Sequence, residues 1–253
     1  MLSVIIITKN EQDRIARCLD SVRSVADEII VLDSGSSDNT VDIVKKYTDR
    51  VYQTDWPGYG PQKQRALALA THEWVLSIDA DEVLTPQLAE EIQVLLSRSP
   101  KETSFKMQWE VVLFGSKLKY GRGARYVERL FKREGAQFSD DLIHEKVIPA
   151  KGGTARLRGK LLHYSNRDFA HLLNKMSLYS SLSAEKKHQT GRYGGGLLIA
   201  ALRALWVFVQ IYILKLGFLD GGRGFLMAVI FMQYTFNKYA GAWAMRLDEH
   251  NKA

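Results

Sequence analysis

Three apolar runs, each ending abruptly in a polar cluster, constrain this chain most. LSVIIIT (2–8) is followed by KNE, EIIVLD (28–33) by SGSSD, and EWVLSID (73–79) by ADE. Runs that are apolar and β-branched without alternation read as strands covered on both faces. Helical patterns lie between them. RIARCLDSVRSV carries Ile15, Cys18, Leu19, Val22 and Val25 at helical spacing, and TVDIVKKY is a shorter helix. PQKQRALALA has Pro61 near its first turn, and TPQLAEEIQVLL has Thr85 as N-cap before Pro86. RVYQT adds a third short strand. Repeated βα units predict an α/β fold with a mainly parallel, Rossmann-like sheet flanked by helices. Because ligands bind beyond the carboxyl ends of such strands, the three polar clusters are expected to line one crevice. The opening MLSVIIITKNEQ lacks a basic leader and a long apolar run, so it reads as a strand and not as a signal peptide.

From about residue 103 the pattern changes. SFKMQWEVVLF, YVERLFKR and TARLRGKLLHY read as strands or hairpin arms, and DFAHLLNKMSLYSSLSAEKKHQ (168–189) as an amphipathic helix. The expected organisation is a ligand-binding half over 1–100, a second half over 101–166, and a helical region over 167–253. Hydrophobic residues make up 46% of the chain and no repeat is visible, which excludes a disordered chain or a solenoid. The net charge of +7 suits a polyanionic partner, such as nucleic acid, an anionic membrane face or a phosphorylated substrate, or serves solubility alone. The single cysteine, Cys18, excludes an internal disulfide and reads as a core residue.

In ADE and the residue before it, Asp79, Asp81 and Glu82 fall within four positions. Their mutual repulsion calls for a compensating cation. In extended backbone Asp79 and Asp81 point the same way, so both can face one ion, while Glu82 points elsewhere. Two hard carboxylates suit Mg²⁺ or Mn²⁺, which keep waters and accept phosphate oxygens. Zn²⁺ fits less well without a cysteine cluster. The alternative, acids at a helix N-terminus, fits Glu82 and not Asp79. In DSGSSD, Gly35 permits a tight turn, Ser34 and Ser36 offer donors, and Asp33 can accept a hydrogen bond from a base or ribose. The alternative is an ordinary Asx-turn with Asp38 capping the next helix. No G-x-G-x-x-G and no GK[ST] loop is present.

Taken in order, SVIIITKNE, EIIVLDSGSSDNT and WVLSIDADE resemble the GT-A-fold inverting glycosyltransferases of family 2, over roughly residues 1–165. The resemblance implies that the first strand end (Thr8, Asn10, Glu11), together with Asp33, Gly35 and Ser36, holds the nucleoside of a nucleotide-sugar donor. It implies that Asp79 and Asp81 form the D-x-D pair, with Asp81 the direct ligand of a metal bridging the diphosphate. Lys63 and Arg65 sit where the family places a basic residue near the diphosphate; a solvated helix face is the alternative. An inverting transfer needs a general base. In place of the family's acidic x-E-D, FSDDLIHEKV (138–147) has IHE, so Glu145 is taken as base with Asp141 and Asp140 behind it. His144 orients the site, touches phosphate, or is merely packed. His163, in LLHY, is implied as an additional metal ligand, or is likewise packed.

LLIAALRALWVFVQIYILK approaches the length of a membrane span, but Arg203 lies inside it, and a central arginine costs about 2.5–3.5 kcal/mol on insertion scales. The second run, 225–236, is too short to span, so interfacial helices are expected. Arg192, Arg203, Lys215 and Arg223 are then placed to meet anionic head groups. The alternative is a dimer interface between copies of the chain or a helical cap on the core. HYSNRDFAHLLNKMSLYSSLSAEKKHQTG and YILKLGFLDGGRGF resemble the branch of family 2 that contains lipopolysaccharide inner-core β-1,4-glucosyltransferases. That resemblance implies UDP-glucose as donor, a lipid-anchored heptose acceptor, and peripheral attachment to the inner face of the cytoplasmic membrane. Nucleic acid is not an expected partner, since no aromatic strand motif of the RNA-binding type is present. The rival readings are a nucleotidyltransferase, whose glycine-rich loop TKNEQDR lacks, and a non-catalytic membrane- or nucleotide-binding module.

Overall fold

A computed structural model of the protein describes residues 1–121, 123–139, 145–191 and 195–252. The chain divides into two compact units: Met1–Glu110 with Arg125–Ser165, and Val111–Ala124 with Asn166–Ala253.

The first unit alternates strand and helix as the apolar patterning dictates. β1 (Leu2–Thr8) is followed by α1 (Ile15–Val22), β2 (Glu28–Asp33), α2 (Thr40–Val44), β3 (Val51–Gln53), α3 (Tyr59–Leu69) and β4 (Trp74–Asp79). β1 lies between β2 and β4 and is parallel to both, and β3 continues the parallel pairing beyond β2. Every residue of β1 is buried, because alternate side chains enter different cores. Val4 and Ile6 pack with Ile15, Cys18, Leu19 and Val22 of α1. Ile5 and Ile7 pack with Ala66 and Leu67 of α3.

After β4 come β5 (Glu82–Leu84), α4 (Pro86–Ser97), β6 (Ser104–Leu113), β7 (Ser116–Lys117), β8 (Ala124–Lys132), β9 (Gln137–Phe138), β10 (Val147–Ile148) and β11 (Thr154–His163). The main sheet runs β3-β2-β1-β4-β8-β6-β11-β5, with β7 paired to β6, and β9 with β10 forms a small separate sheet. The sheet turns antiparallel where β8 meets β4, and β11 runs antiparallel to β5. Thr85 caps α4, its hydroxyl accepting from the Leu88 N–H at 3.3 Å. α4 packs closely on β11 because Gly159 has no side chain: a Cβ there would lie 2.4 Å from the Leu88 Cα.

One local expectation is corrected here. Glu82 does not begin a helix; it begins β5, fully buried, and its carboxylate meets Arg129. Burial demands a partner for that charge, and a strand position supplies one where a helix start would have left it in water.

The second unit is helical: α5 (Phe169–Gln189), α6 (Gly196–Val209) extended by one wide π turn over Gln210–Leu214, a 3₁₀ turn over Gly217–Asp220, and α7 (Gly221–Lys252). Asp168 caps α5, accepting from the His171 N–H at 2.7 Å. The apolar run 225–236 is therefore part of a 32-residue helix. Asp220 accepts from the N–H groups of Lys119 and Tyr120 at 3.1 and 2.9 Å, fastening the 116–120 hairpin to the 3₁₀ turn. α6 stays largely uncovered: Gly196–Leu214 is apolar and long enough to cross a membrane, and only 17% of its apolar window is buried.

Candidate active site

Strand register sets the carboxyl ends side by side. Thr8 of β1 pairs with Asp33 of β2, and Ile7 pairs with Asp79 of β4. The loops after β1 and β2 are laced together. Asn10, at φ +55°, donates its N–H to Ser36 Oγ at 2.8 Å, and its side-chain oxygen accepts from the Ser37 N–H at 2.8 Å. Asp33 is fully buried and accepts from the N–H groups of Gly35 and Ser36 at 3.0 and 2.9 Å, and also from the Ser36 hydroxyl. Gly35 holds φ +80° with open space around it, so the turn needs glycine for its backbone and not for room. Glu11 receives two hydrogen bonds from the Arg14 guanidinium, both 2.6 Å. The Thr8 hydroxyl is buried and has no partner among the described residues.

The acids after β4 sit in a chain of alternating charge. Lys63, 2% exposed, places its ammonium 2.7 Å from Asp79 Oδ1 and 2.6 Å from Glu145 Oε1. Arg129 of β8 lies 2.6 Å from Asp79 Oδ2 and donates as well to Glu82 Oε1, 2.5 Å away. The other Glu82 oxygen accepts from the Asp79 N–H at 2.8 Å. Burial raises the Asp79 carboxyl, but Arg129 and Lys63 outweigh it and hold the group far below its usual range. Burial pushes Glu82 up to about 7, against the pull of Arg129 and with a further push from Asp79. Burial works against the Arg129 charge, yet Asp79 and Glu82 lift that guanidinium above its ordinary value.

Asp81 belongs to a second group. Its Oδ2 is 3.2 Å from His163 Nε2 and 3.6 Å from Arg14. Its carbonyl accepts from the Tyr164 N–H at 2.8 Å, tying it to the end of β11. Burial raises the carboxyl, and the neighbouring His163 more than offsets this, bringing it to about 2. The His163 ring is stacked on Trp109 of β6, with centroids 4.0 Å apart, and Arg125 covers that indole at 4.2 Å.

Asp81 and His163 fit a divalent cation. A hard carboxylate and an imidazole nitrogen, Asp81 Oδ2 and His163 Nε2, meet at one point. No group of three or more His, Cys, Asp or Glu gathers for a metal among the described residues. Such a two-donor site suits Mg²⁺ or Mn²⁺, which complete their shells with water and phosphate oxygens. Asp79 is placed differently, with each of its oxygens already facing a cation.

Thr8, Asn10, Glu11, Asp33, Gly35, Ser36, Lys63, Asp79, Asp81, Glu145 and His163 are thus drawn into one connected region. Arg65 is not: it is exposed and bridges Asp55 at 2.6 Å, two positions along α3 from the inward-facing Lys63. Asp140, Asp141 and His144 lie outside the described residues. Sequence reasoning missed Arg129, Arg14, Trp109 and Gln62. Gln62 is fully buried and donates to Ser34 Oγ at 3.0 Å and Thr54 Oγ1 at 2.6 Å, bracing the loop after β2. The available signal for Arg129 was a cation beside the apolar pair Leu130 and Phe131 in a strand pattern.

Residues 3–145 match Glycosyl transferase family 2, and the chain belongs to that family. It is 30% identical over 261 residues to an uncharacterized glycosyltransferase of Rickettsia prowazekii, covering 99% of this chain and 89% of the relative. It is 32% identical over 203 residues to the lipopolysaccharide core biosynthesis glycosyltransferase LpsC of Rhizobium meliloti, covering 76% of this chain and 73% of that one. In fold it is similar to S. aureus TarS 1–349, crystallised in complex with UDP, at a TM-score of 0.50 and 15% identity, covering 98% of this chain and 91% of the other. The protein is a glycosyltransferase with the α/β, mainly parallel sheet of the GT-A fold.

Proposed function

We propose that this protein is a metal-dependent inverting glycosyltransferase that moves glucose from UDP-glucose to a heptose of a lipid-anchored lipopolysaccharide inner-core acceptor. The observation that carries the reading is the chain of alternating charge Glu145–Lys63–Asp79–Arg129, set beside the Asp81–His163 pair. A nucleoside diphosphate leaving group gains charge as the glycosidic bond breaks. Preorganised cations in a water-poor site stabilise such charge at no reorganisation cost. Lys63 would do this, with Asp79, held in turn by Arg129, keeping its ammonium in position. The unpartnered Thr8 hydroxyl and the laced 33–37 loop offer polar groups to the nucleoside. Asp81 and His163 would hold Mg²⁺ or Mn²⁺, whose charge would polarise the diphosphate when bound. Glu145 would take the proton of the acceptor hydroxyl as that oxygen attacks the anomeric carbon from the face opposite the departing diphosphate.

The likeness to LpsC supports a lipopolysaccharide core acceptor. The uncovered apolar surface of α6, with Leu198 at 74% and Leu202 at 54% exposure, supports peripheral attachment to a membrane surface, which we take to be the inner face of the cytoplasmic membrane. A different lipid-linked or polysaccharide acceptor would use the same donor site.

The test is a panel of nucleotide sugars assayed for binding and slow hydrolysis, with Mg²⁺, with Mn²⁺ and with EDTA. UDP-glucose should bind, and EDTA should abolish hydrolysis. If no nucleotide sugar binds with either metal, the reading is wrong. Glu145→Gln should abolish transfer while sparing donor binding.

A further inference from the structure

Three helices of the second unit each bring a cation to one aromatic ring. The Lys187 ammonium of α5 lies 4.5 Å from the centroid of Tyr239, the Arg203 guanidinium of α6 lies 4.5 Å from it, and the Lys238 ammonium of α7 lies 4.9 Å from it. Like charges gathered this tightly repel, and the ring's quadrupole offsets only part of that at a half-exposed position. No ion pair joins Lys187 or Arg203 to a carboxylate among the described residues. Burial raises the Tyr239 hydroxyl, but Lys238, Lys187 and Arg203 together pull it below its ordinary value. The cluster is therefore shaped to receive negative charge.

The surroundings identify what kind of anion. Arg203 interrupts the most apolar helix in the chain and stands next to Leu202, Leu205 and Trp206, which are 54%, 55% and 53% exposed. An arginine at the centre of a bilayer is costly, whereas one at the interface meets phosphate while its apolar neighbours enter the acyl boundary. A site for a soluble anion has no use for the exposed leucines. A phospholipid offers phosphate and hydrocarbon together. We propose that Lys187, Arg203, Lys238 and Tyr239 form a binding site for the phosphate of an anionic phospholipid headgroup. The site fixes the depth at which α6 meets the membrane surface. The proposal rests on the peripheral-membrane reading above and adds to it a specific headgroup contact.

The experiment is flotation of the full-length protein with phosphatidylcholine vesicles, with and without phosphatidic acid. The wild type should prefer vesicles containing phosphatidic acid, and Lys187→Gln/Lys238→Gln should weaken that binding about tenfold, since each lysine near an anionic surface contributes severalfold. Tyr239→Phe should cause a smaller loss. Inorganic phosphate should displace the wild type from phosphatidic acid vesicles more effectively than chloride at matched ionic strength. The double variant should melt no lower than the wild type, since two like charges are removed, and its UDP binding should match, which excludes misfolding; Asp81→Asn should float as the wild type does. Equal binding of the double variant and the wild type, or equal displacement by phosphate and chloride, would overturn the site while leaving membrane attachment intact. A wild type that floats with neither vesicle would overturn the site and the membrane reading together, and the donor-site reading would survive on UDP binding.

Discussion

The imidazole of His163 lies flat against the indole of Trp109, with ring centroids 4.0 Å apart and planes inclined by 17°. This stack fixes the plane of the ring whose Nε2 faces Asp81 at 3.2 Å. Groups that orient a metal-binding histidine typically change metal affinity by about 10–100-fold when removed. Trp109→Ala should therefore weaken Mn²⁺ binding by at least about tenfold in calorimetric titration, and Trp109→Phe should keep most of it. Equal Mn²⁺ affinity in Trp109→Ala and the wild type would show that the stack is packing alone.

Arg129 neutralises Glu82, which is fully buried, and Asp79 at the same time. Removing one partner of a buried pair strands the other charge, at a cost of about 3–5 kcal/mol. Arg129→Met should lower the urea unfolding free energy by that amount. Adding Glu82→Gln should recover part of the loss, because an amide needs no counter-charge. Lys63→Met should cost less, since its partners Asp79 and Glu145 retain 28% and 15% side-chain exposure. Arg65→Ala should leave stability essentially unchanged, because its bridge to Asp55 is exposed and screened by solvent.

These charges also explain what was legible in the sequence. The strands were, because β1, β2 and β4 are covered on both faces and, apart from Ser3, Glu28 and Ser77, are apolar until their last residue. The edge at which the site forms followed from the parallel sheet. The acids Asp79, Asp81 and Glu82 were visible as a cluster needing cations, but the protein's own cations come from elsewhere in the chain. Lys63 enters from α3, Arg14 from the turn before α1, Arg129 from β8 and His163 from β11. Only tertiary pairing brings them in, and no local spacing encodes it. Glu82 was misplaced for the same reason. Its proximity to the start of α4 suggested a helix-dipole role, whereas its true partner lies 47 positions later.

The pairing of Asp81 with His163 gives stability a definite acid limb. The folded carboxyl stands at about 2, below its ordinary 3.8. Its ionised form therefore contributes fully above about pH 4, and the contribution, on the order of 2 kcal/mol, is lost as pH falls through about 2. His163→Gln removes the charge that holds Asp81 down, so acid unfolding followed by circular dichroism in EDTA should begin at higher pH than in the wild type. An unchanged acid limb would assign that limb to other carboxylates.

Gly159 sets how closely α4 can approach β11. A Cβ at this position would lie 2.4 Å from the Leu88 Cα and 2.7 Å from its backbone nitrogen, distances at which backbone itself must move. The α4 residues on that face, Leu88, Ala89 and Ile92, belong to the larger core beneath β1 and β4. A shift of the helix is thus transmitted to the packing that supports Asp79. Gly159→Ala should destabilise by about 1–3 kcal/mol, as overpacking does in well-filled cores, and lower Tm by several degrees. Gly153→Ala is the control: the nearest atom to its Cβ would be the Glu102 Cγ at 3.5 Å, an ordinary contact, so stability should hold. If the two variants melt together, the close approach of α4 to β11 is not a constraint on the fold.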